Sequence, residues 1–249
     1  MIKRINPNLK SFLLLYIALD LYCSFRWLPL LNDNWTYAMF VVLFIFTFFT
    51  VWRFHLIKEI VYSRQEVCFL LKCLLLYVFG FFLFVEFLYV SWVEIFQHKR
   101  QILLQWGMAS PPLFIYSAVF TLVTAPIIEE VMYRMLLQKY LYTKMKSIWL
   151  VIIISSLMYS ISHYDLAKIP VTFIPGLLYG WIYYKSKKIW TCISCHFLWN
   201  LMSITFDKSY VNITMPFILL YTLGVLLFML LMKNTFNIKL TKSGKTQEE

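Results

Sequence analysis

The sequence predicts an all-α fold, specifically a polytopic membrane helical bundle of about eight transmembrane helices forming a single integral membrane domain over 1–249. Three observations carry that expectation. Hydrophobic residues make up 61% of the 249 positions and charged ones only 14%, which leaves too little polar surface to cover a water-soluble domain. Several apolar runs approach or exceed the roughly 20 residues that a spanning helix requires. Alternating ten-residue strand patterns, the mark of a membrane barrel, are absent.

Apolar runs between polar breaks place the spans at about 11–31, 35–52, 67–93, 113–141, 148–165, 170–184, 189–206 and 213–232. The first follows Lys3, Arg4 and Lys10, but no small-residue cleavage site comes after it and Asp20 and Arg26 interrupt it, so it reads as a retained helix. The third is long enough to tilt or break at Gly80. The fourth contains Pro126, whose missing N–H and ring clash predict a kink just before Glu129 and Glu130.

Lys and Arg gather in the even-numbered loops and both tails, among them Arg53, Lys58, Arg64, Lys144, Lys146, Lys185, Lys187, Lys188 and Lys233. That bias predicts a multi-pass protein with both termini cytoplasmic; the other side keeps only Lys99, Arg100, Lys168 and Lys208, with the Lys99–Arg100 pair the one clear violation. The mostly short loops and the lack of soluble domains suit a bacterial plasma membrane. The lipid bilayer is then both solvent and partner. The net charge of +11 does not imply nucleic acid, because the cations lie in short clusters and no soluble basic module exists. Cys23, Cys68, Cys73, Cys192 and Cys195 all fall in apolar segments and imply no disulfide framework.

Ionisable residues in apolar helices need a partner, a wet cavity or a function, and the second half of the chain concentrates them. Glu129, Glu130 and Arg134 lie in one segment, His163 in another, and His196 with Asn200 in a third. Glu130 and Arg134 are one helical turn apart, where a carboxylate and a guanidinium can pair. Glu129 projects about 100° away from Glu130 and has no local cation, and a partly desolvated carboxylate suits proton abstraction from water. His196 and Asn200 share a face, as two neighbouring donors or as two ligands beside a metal. Glu86 and Asp20 are further acids in apolar runs, with nothing at helical spacing to complete a site. Cys192, Cys195 and His196 also form a C-x-x-C-H pattern, but near the expected cytoplasmic start of a span and not in the aqueous loop that haem attachment needs.

Glu-Glu-x-x-x-Arg (Glu129, Glu130, Arg134), aromatic-x-x-x-His (Tyr159, His163) and His-x-x-x-Asn (His196, Asn200), in that order on successive helices, resemble the three motifs of the CAAX prenyl endopeptidase and bacteriocin-processing (CPBP, Abi) family. The motifs cover about 124–200, within a motif-bearing core of about 111–232. The resemblance implies an intramembrane endopeptidase: Glu129 with His163 would activate the attacking water, Glu130 would pair with Arg134, and His196 with Asn200 would stabilise the oxyanion. Its substrate would be a peptide or protein in or at the membrane, such as a bacteriocin or pheromone leader or a prenylated C-terminus, with self-immunity as a related role. Two positions depart from the family pattern, Tyr159 where Phe is usual and Met135 where Gly often follows the Arg.

Cofactor use stays open at this level. Glu129, His163 and His196 could ligate Zn²⁺ with an open fourth position, yet the same residues suffice for a metal-free, glutamate-activated water. Two other functions compete with peptide hydrolysis. One is a non-catalytic membrane scaffold or regulator of a sensor or exporter that retains the fold, which has no need of all four polar residues. The other is a small transporter using the acids as a proton relay, which the lack of an internal repeat disfavours.

Overall fold

The computed structural model describes residues 33–80, 118–163 and 169–205 and positions 226, 228–231 and 233, the side chains of 33–40, 43, 59 and 205 excepted. Among them all regular structure is helical. In order these are α1 (Asp33–Arg53), a 3₁₀ turn (Leu56–Glu59), α2 (Arg64–Gly80), a π segment (Phe120–Thr124), α3 (Ala125–Glu130), a second π segment (Val131–Gln138), α4 (Lys139–Lys144), α5 (Ile148–Ile161), α6 (Ile169–Ser186) and α7 (Ile189–Thr205).

Local chemistry accounts for the ends. Ser63 and Glu66 form a capping box at the start of α2: Ser63 N–H donates to Glu66 Oε2 at 2.7 Å and Glu66 N–H to Ser63 Oγ at 3.3 Å, which satisfies two donors that the helix itself leaves open. Ser147 caps α5 by accepting the N–H of Leu150 at 3.3 Å. Pro126 interrupts the backbone ladder between the two π segments, where a residue without an N–H forces the hydrogen bonds to change register.

The core is built around α7, which packs on α2, α6, α3 and the first π segment. Tyr77 of α2 stacks on Tyr179 of α6 with centroids 5.0 Å apart and donates its hydroxyl to Pro175 O at 2.9 Å. Helices α5 and α6 meet closely because Gly176 and Gly180 lie one turn apart on the contact face. A Cβ on Gly176 would come within 3.1 Å of Tyr159 Cδ1, and one on Gly180 within 3.0 Å of Ile152 Cγ2 and 3.2 Å of Gln138 Oε1. Large apolar side chains also stand exposed on the outer faces, among them Phe48 and Trp52 of α1, Leu71 of α2 and Trp149 and Leu157 of α5.

One finding corrects the architecture expected from hydropathy. Among the described residues no helix is long and apolar enough to cross a membrane. The eight-span polytopic bundle, the lipid bilayer as partner, the multi-pass plasma-membrane placement with cytoplasmic termini, and cleavage inside a membrane are therefore not supported. For α2, α5, α6, α7 and the run from Phe120 to Lys144, the physical reason lies in their lengths and contents. The α5 helix has 14 residues and α2 and α7 have 17 each, which at 1.5 Å per residue gives about 21–26 Å against a hydrocarbon layer of about 30 Å. The 18 residues of α6 include Pro170, Pro175, Gly176, Gly180 and Lys185, and the helical run from Phe120 to Lys144 carries Glu129, Glu130, Arg134, Lys139 and Lys144. The expected span at 11–31, most of that at 213–232, the ends of those at 67–93, 113–141 and 148–165, and Asp20, Cys23, Glu86, Lys99 and Arg100 lie outside the described residues.

Candidate functional site

Four elements bring the motif residues together. Glu129 and Glu130 end α3, Arg134 lies in the second π segment, Tyr159 on α5 and His196 on α7. Glu130 is fully buried and bridges two partners: Oε2 accepts from Arg134 Nε at 3.2 Å, and Oε1 lies 2.9 Å from His196 Nδ1. Arg134, also fully buried, donates through Nη1 to Ser155 Oγ at 3.3 Å and to Ser156 Oγ at 3.5 Å, and its guanidinium lies over the rings of Tyr159 and Tyr179. Gly176 and Gly180 leave the room that this guanidinium occupies, with ideal Cβ positions 3.6 Å from its two terminal nitrogens.

His196 is held on all sides. Its ring stacks on Tyr179 at 4.9 Å, and Tyr159 meets it edge-on at 5.8 Å. Nε2 faces the Tyr159 hydroxyl at 3.4 Å and Glu129 Oε2 at 3.6 Å. Chemistry then orders the protons. A carboxylate engaged by Arg134 can only accept, so Nδ1 carries a proton directed at Glu130. In neutral imidazole Nε2 is then an acceptor and takes the Tyr159 hydroxyl. A second acceptor, Glu129 Oε2, would face Nε2 without a proton between them, so the two atoms are placed to share one.

Glu129 differs from Glu130 in how little it is satisfied. Its Oε2 is buried with no hydrogen-bond partner among the described residues. Burial raises its pKa to about 7, with His196 and Arg134 opposing the rise and Glu130 adding to it. A carboxyl that titrates near neutrality can both take and return a proton.

The other two motif residues stand at the edge of this cluster. His163 is half-buried just beyond α5; its Nδ1 lies 3.0 Å from Tyr159 O and its ring meets Tyr159 edge-on at 5.1 Å. Asn200, one turn beyond His196 on α7, donates through Nδ2 to Thr121 O at 2.8 Å. Among the described residues no three His, Cys, Asp or Glu side chains are grouped so as to hold a metal ion. The Zn²⁺ set of Glu129, His163 and His196 is therefore not supported by this arrangement.

Several contributors were not singled out from the sequence. Tyr179 supplies the stacking surface, Ser155 and Ser156 the acceptors for Arg134, and Gln138 donates to Gly180 O at 2.8 Å and Tyr142 Oη at 2.9 Å. Gln138 could have been found as the next turn after Arg134 on the same face, and the two glycines as a four-residue pair within an apolar helix.

Fold and site together define an all-α protein with a buried carboxylate–histidine centre. Residues 111–202 match the family described as Type II CAAX prenyl endopeptidase Rce1-like, so over that segment the chain is similar to that family, in agreement with the resemblance drawn from the three motifs. No curated protein and no solved structure gives a significant match.

Proposed function

We propose that the chain is a peptidase that hydrolyses a peptide bond with a water activated by Glu129. One observation carries this reading: the buried, unpartnered Glu129 Oε2 stands 3.6 Å from His196 Nε2, while the neighbouring Glu130 is fully occupied by Arg134 and by Nδ1 of the same ring. The Rce1-like match supports it over 111–202.

The position of one proton assigns both roles. With the shared proton on Nε2, Glu129 is a carboxylate able to accept a proton from water, and His196 is a cationic donor steadied by Glu130. Water adds to the scissile carbonyl carbon while its proton passes to Glu129, and the developing oxyanion takes its hydrogen bond from Nε2–H. Collapse of the tetrahedral intermediate breaks the C–N bond, and Glu129 returns the proton to the leaving amine. His163, which lies next to Tyr159, is assigned by the family resemblance to the same water.

The test uses purified full-length chain and fluorogenic peptides, including one with a prenylated cysteine near its C-terminus, the class that the matched family's description names. Turnover in the parent protein with loss of at least about 10³-fold in Glu129→Gln, at an unchanged circular dichroism spectrum, is the expected result. Full turnover in Glu129→Gln would leave the cluster a packing device and end the peptidase reading.

A further inference from the structure

The stretch before Glu129 has an open hydrogen-bonding position written into its sequence. In the first π segment the backbone N–H of Ala125 reaches Phe120 O, five residues back. One residue further, the same register would bring the N–H of position 126 to Thr121 O. That position is Pro126, which has no N–H. The Thr121 carbonyl thus loses its ladder donor in a half-buried place, where an unpaired carbonyl costs free energy. The side chain of Asn200 reaches it instead, Nδ2 to O at 2.8 Å, from a different helix.

We infer that Asn200 is a positioning residue that supplies the hydrogen bond Pro126 cannot, and so pins the turn presenting Glu129 and Glu130 to His196. Two adjacent turns of α7 then grip one strip of chain: Asn200 holds the carbonyl five residues before Pro126, and His196 holds the two carboxylates three and four residues after it. An i−5 register turns the backbone further per bond than an α-helix does, so a change of register at Thr121 would rotate both carboxylates about the helix axis. The geometric part stands on the hydrogen bonds alone. Its catalytic consequence rests on the peptidase reading.

A double-mutant cycle on the full-length protein tests this, because putting an N–H back at position 126 makes the Asn200 amide redundant. Asn200→Ala is expected to lower kcat about 10²-fold with KM within about twofold, and Asn200→Asp, similar in shape but without the donor, to do the same. In a Pro126→Ala background the same Asn200→Ala step should cost no more than about threefold, since the restored backbone N–H can take the carbonyl. Pro126→Ser restores the same N–H and serves as a second background should Pro126→Ala fold poorly. A loss of equal size in both backgrounds would mean that Asn200 acts directly on the reacting atoms, and would overturn the inference. If the parent protein cleaves no peptide, the peptidase reading fails by itself and the cycle is read in thermal unfolding midpoints. Asn200→Ala should then lower the midpoint by about 2–4 °C in the parent and by clearly less beside Pro126→Ala, and equal shifts would overturn the proposal.

Discussion

Two parts of the molecule fasten α7 with carboxylates and cations, and they do it under opposite conditions. At the α2–α7 corner, Glu66 accepts the Ser63 N–H and pairs with Lys188 at 3.6 Å, the two side chains being 17% and 25% exposed. Lys188 also donates to Val61 O at 2.9 Å, Tyr62 meets Thr191 at 3.2 Å, and Trp190 Nε1 donates to Leu56 O at 2.6 Å. In the interior, Glu130 and Arg134 are wholly removed from solvent, and Glu129 beside them keeps an oxygen without a hydrogen-bond partner. The corner is a satisfied clip in which water screens each charge. The interior cluster holds charges that only each other can compensate, and one carboxyl oxygen that no hydrogen bond satisfies among the described residues. Incomplete satisfaction in a desolvated place separates a group with chemistry to do from one that only holds helices together.

The largest effect expected from this contrast is that of Arg134→Ala. It strands Glu130 in the core without its guanidinium and should destabilise the fold by about 3–5 kcal/mol. Arg134→Lys should not restore it, because an ammonium cannot reach Glu130, Ser155 and Ser156 together. Unfolding midpoints of the two variants check this, and near-parent values would show that water reaches the cluster and that the two regions are alike.

Next in size is a pH-dependent effect of Glu129→Gln. The folded-state pKa of Glu129 is raised to about 7 from an ordinary 4.5, so the unfolded chain releases this proton at lower pH than the folded one. The contribution to stability is present below about pH 4.5 and is lost as pH rises toward 7, by roughly 1–3 kcal/mol in all. Glu129→Gln should therefore be more stable than the parent at pH 8 and lack that part of the slope between pH 4.5 and 7. Parallel denaturation series across this range decide it, and identical slopes would put Glu129 in the same class as Glu66. On the peptidase reading, the same titration predicts that kcat/KM of the parent chain rises with pH and levels off above about 7.

Tyr159→Phe should have a smaller effect. The ring contacts with His163, His196, Tyr133 and Tyr179 stay, and a 3.4 Å hydrogen bond is worth at most about 1 kcal/mol. Its readout is the unfolding midpoint, which should fall by no more than about 4 °C, and a larger fall would mean that the hydroxyl holds the cluster together. The smallest effect belongs to the corner. Lys188→Met should cost under about 1 kcal/mol, as for other partly exposed pairs, and a larger loss would erase the distinction between the two regions.

Much of this arrangement was legible along the chain, wherever one helix supplies both partners. The four-residue spacing that seats Arg134 on Glu130, the Ser63–Glu66 box, the cap at Ser147 and the break at Pro126 all follow from local geometry. The contribution of Glu129 was legible in part, since its lack of a local cation shows in the sequence, whereas its approach to Nε2 of His196 does not. The hydropathy reading went astray for a related reason. A run of apolar residues shows that side chains leave water, but it does not show where a helix starts, stops or changes register.

By itself, then, the sequence determined an all-α chain, the residues that cap and interrupt its helices, and the three motifs whose match extends over 111–202. Those properties depend on neighbours within a turn or two. Only the tertiary structure decided that α5 stops at Ile161, and that no described helix is long and apolar enough to cross a membrane. It alone placed Glu129 and Glu130 at opposite nitrogens of one ring, with Asn200 at the carbonyl that Pro126 leaves open. Those of Glu130 with His196 and of Asn200 with Thr121 join residues 66 and 79 positions apart. They depend on how four packed elements settle against each other, and no periodicity along a single helix encodes that.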